Sequence, residues 1–148
     1  LVGGKEVDRF QTLLNPQRRI PSSITRLTGI SDDMVADAPL FAEVADHIAS
    51  FTEDAVFVAH NVNFDYGFIK QEFARLEQSF RRPKMCTVRE MRRTHPGLSS
   101  YSLANLTKHF HIDMEQHHRA LSDAKAAAEL LKLAFEKDDE GFSVGDNV

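Results

Sequence analysis

Apolar residues along the chain change period several times, and each change marks an element. From 39 to 51, Phe41, Val44, Ala45, Ile48 and Phe51 recur every three or four positions, the spacing that lines one face of an amphipathic helix. Residues 55–59 form an unbroken β-rich apolar run, as expected of a central strand covered on both faces. Asn63 is then placed to cap a helix over 64–76. Residues 84–88 read as a second strand, leading into a helical turn capped by Thr87. A helix over 100–110 should turn Leu103, Leu106 and Phe110 inward. The longest helix is predicted over 119–135, with Leu121, Ala124, Ala128, Leu131 and Phe135 as its buried stripe.

The N-terminal third is patterned differently. Gly3-Gly4 predicts a hairpin turn, because consecutive glycines accept positive φ cheaply, and 5–14 then reads as a strand ended by Asn15-Pro16. Ser22 or Ser23 can cap a short helix that Gly29 stops, and Ser31-Asp32-Asp33 can cap the next turn. Strands interleaved with helices give an α/β fold, with residues 1–136 as one domain and 137–148 as a flexible tail or linker.

Composition narrows the class. At 148 residues and 42% hydrophobic, the chain is the size of a single domain with a sizeable core. A net charge of −4 argues against a wholly basic surface, so any nucleic-acid contact should be local, in a cleft where metal ions offset acidity. A single cysteine, Cys86, excludes an internal disulfide framework and fits a reducing compartment, the cytoplasm by default. No apolar run approaches the ~20 residues of a membrane span. P-loop, dinucleotide-binding and nucleophile-elbow signatures are all missing from the sequence, which leaves hydrolysis by metal-activated water as the chemistry to consider.

Two short motifs carry that chemistry: His60-Asn61-Val62-Asn63-Phe64-Asp65 and His118-Arg119-Ala120-Leu121-Ser122-Asp123. Asp65 follows the apolar run at 55–59, at the carboxyl end where open α/β sheets hold ligands, although an acid in a first turn also serves the helix dipole. His118 and Asp123 lie about 140° apart on a regular helix. They can serve one cleft only if His118 sits in the loop before the helix. The alternative is a solvated loop histidine and a solvated acid. His47, His95, His109 and His111 have no partner at metal-ligand spacing and read as surface or satisfied groups, while Arg81-Arg82 and Arg92-Arg93 could touch phosphate, a solvated helix end or loop being the default for such pairs.

In combination the two motifs resemble the second and third motifs of the DEDDh exonucleases, the superfamily of the proofreading epsilon subunit of bacterial DNA polymerase III. The resemblance spans about 5–135 and implies a ribonuclease-H-like mixed sheet flanked by helices. By it, Asp65 and Asp123 bind catalytic Mg²⁺ or Mn²⁺, His118 acts as general base, and Phe64 packs the site. His60 and Asn61 approach the substrate's sugar and phosphate. Thr28-Gly29-Ile30 runs beside the last nucleotide, with Thr28 where the family often has His.

The implied activity is 3′–5′ hydrolysis of a single-stranded DNA or RNA end by two metal ions, in DNA proofreading or repair and with a polymerase or repair protein as partner. The family's first motif, Asp-x-Glu on the opening strand, has no counterpart here. Glu6 and Asp8 fall on the wrong side of the Gly3-Gly4 turn to replace it. The fold is therefore expected to lack its leading strands, to expose strand edges open to self-association, and to show little activity as this chain alone. A catalytically degenerate nucleic-acid- or protein-binding domain of the same fold is the alternative.

Overall fold

A computed structural model describes residues 1–114 and 119–137. Its elements are α1 (Ser22–Thr28), α2 (Asp32–Val35), α3 (Phe41–Phe51), β1 (Phe57–Ala59), α4 (Val62–Arg75), β2 (Lys84–Cys86), α5 (Thr87–Thr94), α6 (Leu103–His109) and α7 (Ala120–Lys137). β1 and β2 pair in parallel, with Val58 opposite Met85. Their crossover is α4, the connection a parallel pair requires. The fold is mixed α/β with a small parallel sheet, as the chain's pattern predicts.

Two apolar clusters hold it. One joins α3 to α4 through Ala45, Tyr66, Phe73 and Phe80, with Phe73 and Phe80 stacked at 4.8 Å and Phe41 edge-on to Phe73 at 5.1 Å. Arg82 locks this cluster: its guanidinium donates to the carbonyls of Thr52 at 2.9 Å and Ala49 at 3.0 Å, satisfying the C-terminal end of α3, and lies over Phe80. Arg82 is thus spent on structure rather than held out for phosphate. Arg93 likewise pairs with the buried Glu90, and Arg92 lies over the Tyr101 ring. The second cluster joins α5, α6 and α7 through Met91, Leu106, Leu130 and Ala134.

Several local expectations change. The Gly3-Gly4 turn forms, with Val2 and Lys5 exchanging backbone hydrogen bonds at 2.8 and 3.1 Å, but 5–14 is no strand. A strand is made by its pairing, and among the described residues the Val2–Lys5 bridge is not continued along this segment. β1 is likewise only half-buried, with β2 as its one described neighbour. Pro21, rather than a serine, occupies the N-cap of α1, while Gly29 stops it as expected, at φ 75°. Ser31 takes the N-cap position of α2 without a side-chain bond, and Asp32 instead accepts from the Ile20 amide at 2.8 Å. Asn61, at φ 69°, precedes α4 in place of Asn63, whose side chain accepts from Lys84. Cys86 rather than Thr87 precedes α5, and Ser102 caps α6 through the Asn105 amide.

The α7 stripe is rotated. Ala126, Ala127, Leu130, Leu131 and Ala134 are buried, whereas Ala124 and Phe135 are exposed. The helix has two apolar faces: one packs on β1, α5 and α6, and the other lines an open groove of about 690 Å³ with Leu121, Ala128, Phe10, Phe51 and Phe110. Periodicity alone could not choose between them. No described helix is long and apolar enough to cross a membrane.

Candidate active site

β1 ends at Ala59 and the chain turns sharply into α4, because Asn61 adopts the left-handed conformation that asparagine tolerates better than most residues. That turn puts Asp65 in the first turn of α4, beside the carboxyl end of the strand. α7 packs against the same strand and carries Asp123 in its own first turn. The two carboxylates are close enough to feel one another. Asp65 keeps an exposed surface yet titrates above the usual carboxylate range, first because the surrounding protein removes part of its solvation and second because of the Asp123 charge. A divalent cation would relieve that repulsion, so the pair fits part of a metal site. Among the described residues no group of three or more His, Cys, Asp or Glu comes together.

His60 is held at the strand end by both ring nitrogens, Nδ1 at 2.7 Å from Thr87 Oγ1 and Nε2 at 2.7 Å from the Tyr101 carbonyl. A carbonyl only accepts, so Nε2 carries the proton and Nδ1 accepts from the Thr87 hydroxyl. Burial, then the Arg92 charge, holds His60 below the ordinary histidine value, against the pull of the Tyr101 carbonyl, and keeps it neutral. The ring fastens β1 to α5 and to the approach to α6. Both ring nitrogens are thereby engaged within the fold.

Phe64 is 68% exposed and meets Phe68 edge-on at 4.9 Å. Its ring is thus turned largely to solvent. Glu6 is taken by Arg9, which lowers its pKa through a hydrogen bond. His95 contacts Thr94 and Phe110, and His47 packs on Phe10, in keeping with surface or satisfied roles. His118 lies outside the described residues, as does 138–148 of the expected tail.

Thr28-Gly29-Ile30 is joined to this region by a residue to which the sequence gave no role. Arg119 Nε donates to the Thr28 carbonyl at 2.5 Å and Nη2 to the Gly29 carbonyl at 3.4 Å, across about ninety residues of chain. The Arg119 carbonyl in turn accepts from the Asp123 amide at 3.0 Å, at the start of α7. The arginine is visible in the second motif, but nothing in its spacing points to residue 28. Loop, α7, β1 and α4 thus converge, bringing Thr28 to Ile30, Asp123, His60, Asn61 and Asp65 to one end of the sheet.

A strand end with two carboxylates close enough for one charge to act on the other, between a crossover helix and a packed C-terminal helix, narrows the class. An exonuclease family model, RNase_T, matches residues 1–131, and the chain belongs to that family. DNA polymerase III PolC-type of Clostridium perfringens is 40% identical over 146 residues, 99% of this chain and 10% of that protein. The 3′-5′ exonuclease DinG of Staphylococcus epidermidis is 39% identical over 133 residues, 88% of this chain and 15% of that protein. Among solved structures, Exonuclease X in complex with 5′ overhanging duplex DNA superposes with a TM-score of 0.77 at 28% identity, covering 97% of this chain and 81% of that one. The chain therefore spans about a tenth of the length of the PolC-type relatives it matches.

Proposed function

We propose that this domain is a DNA 3′–5′ exonuclease that removes nucleotides from single-stranded ends, serving replication or repair. The observation that carries the reading is the pairing of Asp65 and Asp123, remote in sequence yet close enough for one charge to raise the other's pKa, at the end of β1. Relatives named as DNA polymerase III and a 3′-5′ exonuclease, and a structural neighbour bound to DNA, support DNA as substrate.

Asp65 and Asp123 would hold Mg²⁺ or Mn²⁺. Bound divalent ions supply activated water and offset the charge that grows on the phosphate in the transition state. His118 would take the proton from the attacking water, a role that suits an imidazole, whose ordinary pKa lies near neutrality. Phe64 stacks on a terminal base, and the Thr28 to Ile30 loop lies along the last sugar. The domain works as a soluble cytoplasmic component of a larger protein or polymerase assembly.

A second reading, a binding domain without catalysis, is favoured by one observation: the described residues bring together two carboxylates where a two-ion site needs more anions. On the same ground the 148-residue chain alone should turn over slowly. The test is degradation of a 5′-labelled single-stranded DNA by the full-length protein in Mg²⁺. Asp65→Asn, Asp123→Asn and His118→Ala should each lower kcat by ~10² or more with the DNA still bound. Wild-type binding with no cleavage in Mg²⁺ or Mn²⁺ would leave the binding domain.

A further inference from the structure

We infer that Arg119 is a positioning residue that straps the Thr28-Gly29-Ile30 loop to the start of α7, setting the distance between the loop that meets the 3′ nucleotide and the helix that carries Asp123. This rests on the exonuclease reading of the site. An arginine at a phosphate-handling site would ordinarily be assigned to the phosphate. Here its donors are aimed elsewhere, onto two successive main-chain carbonyls 91 and 90 residues away. The planar guanidinium fork matches that pair, and the single ammonium of a lysine cannot span it equally.

The loop is built to receive the strap. Its amides are satisfied internally, Gly29 N–H by the Thr25 carbonyl at 2.8 Å and Ile30 N–H by the Thr28 hydroxyl at 3.1 Å, while that hydroxyl donates to the Ile24 carbonyl. The Thr28 and Gly29 carbonyls are thus turned outward to Arg119. Gly29 leaves room for the fork: a Cβ there would come within 3.3 Å of Nη2, and φ of 75° strains any other residue. At its other end, Arg119 opens the hydrogen-bonding of α7 by accepting from the Asp123 amide. One side chain therefore indexes two substrate-facing pieces that share no other described hydrogen bond.

The experiment compares wild type, Arg119→Ala, Arg119→Lys and Gly29→Ala in the full-length protein, by amide hydrogen exchange and by steady-state hydrolysis of a 5′-labelled single-stranded DNA in Mg²⁺. Exchange at Gly29 and Ile30 should rise about tenfold in Arg119→Ala and Gly29→Ala, with α3 unchanged and Arg119→Lys between. KM should rise about tenfold in the same order, with kcat within about threefold of wild type. Unchanged exchange overturns the strap. A faster-exchanging loop with unchanged KM, or a loss confined to kcat, overturns the positioning role. If Arg119→Ala does not fold, Arg119→Lys and Gly29→Ala decide by the same criteria. A wild-type protein that cleaves no 3′ end would overturn the exonuclease reading and the positioning role with it, and the exchange arm would still show whether the strap exists.

Discussion

Residues 1–20 and the α5–α6–α7 cluster contain comparable apolar side chains and treat them in opposite ways. None of the first twenty residues is buried, and Val7 stands 65% exposed, whereas Met91, Leu106 and Leu130 are sealed from solvent at 0%. The difference lies in partners rather than in hydrophobicity. The helices of the cluster satisfy their own backbones and need only matching faces, while an extended segment needs a neighbouring strand before its side chains have a surface to pack on.

Truncating the two regions should expose the contrast most sharply. Leu130→Ala is expected to cost about 3 kcal/mol in urea unfolding, the transfer and cavity terms of a fully buried leucine, while Val7→Ala should change stability by under ~0.5 kcal/mol. Equal losses at the two positions would mean that residues 1–20 are packed in solution in a way the fold described here does not contain.

His60 provides a smaller effect with a definite sign. Its folded pKa lies below the ordinary value of ~6.5, so below that pH the unfolded chain binds a proton the folded chain refuses. Stability should therefore be level above about pH 6.5 and fall as pH drops from there toward the folded pKa. His60→Gln, which can still donate to Tyr101 and accept from Thr87, should remove part of that slope when urea midpoints at pH 7.5 and 5.5 are compared. An identical slope in the variant would show that the buried ring does not carry the dependence. The smallest effect is local: Asp123→Asn should let Asp65 titrate lower, read by carboxyl NMR, because one of the two causes of its raised pKa is gone.

The contrast also explains what the sequence made legible. α3, α4, α6 and α7 were readable because helical periodicity is local, and the motifs around Asp65 and Asp123 singled out two acids that the fold brings near each other. The α7 stripe was misjudged because Leu121, Ala124 and Ala128 are as apolar as Ala127 and Leu130, and only the packing of β1, α5 and α6 decides which face is inside. The strand at 5–14 failed for the converse reason, since a Gly-Gly turn and an Asn-Pro stop bound a segment that could pair and do not show whether a partner is there. Arg82 and Arg119 were misread or passed over because a charged side chain reaching a carbonyl thirty or ninety residues away leaves no trace in spacing.

The central claim is that Asp65 and Asp123 serve one cation, and a double-mutant cycle on Mn²⁺ affinity tests it most directly, with free Mn²⁺ followed by electron paramagnetic resonance. Asp65→Asn and Asp123→Asn should each weaken binding by roughly ten- to hundredfold, and the double variant by far less than the product, because the first substitution already dismantles the shared site. Losses that multiply, or an affinity that ignores either substitution, would contradict the account.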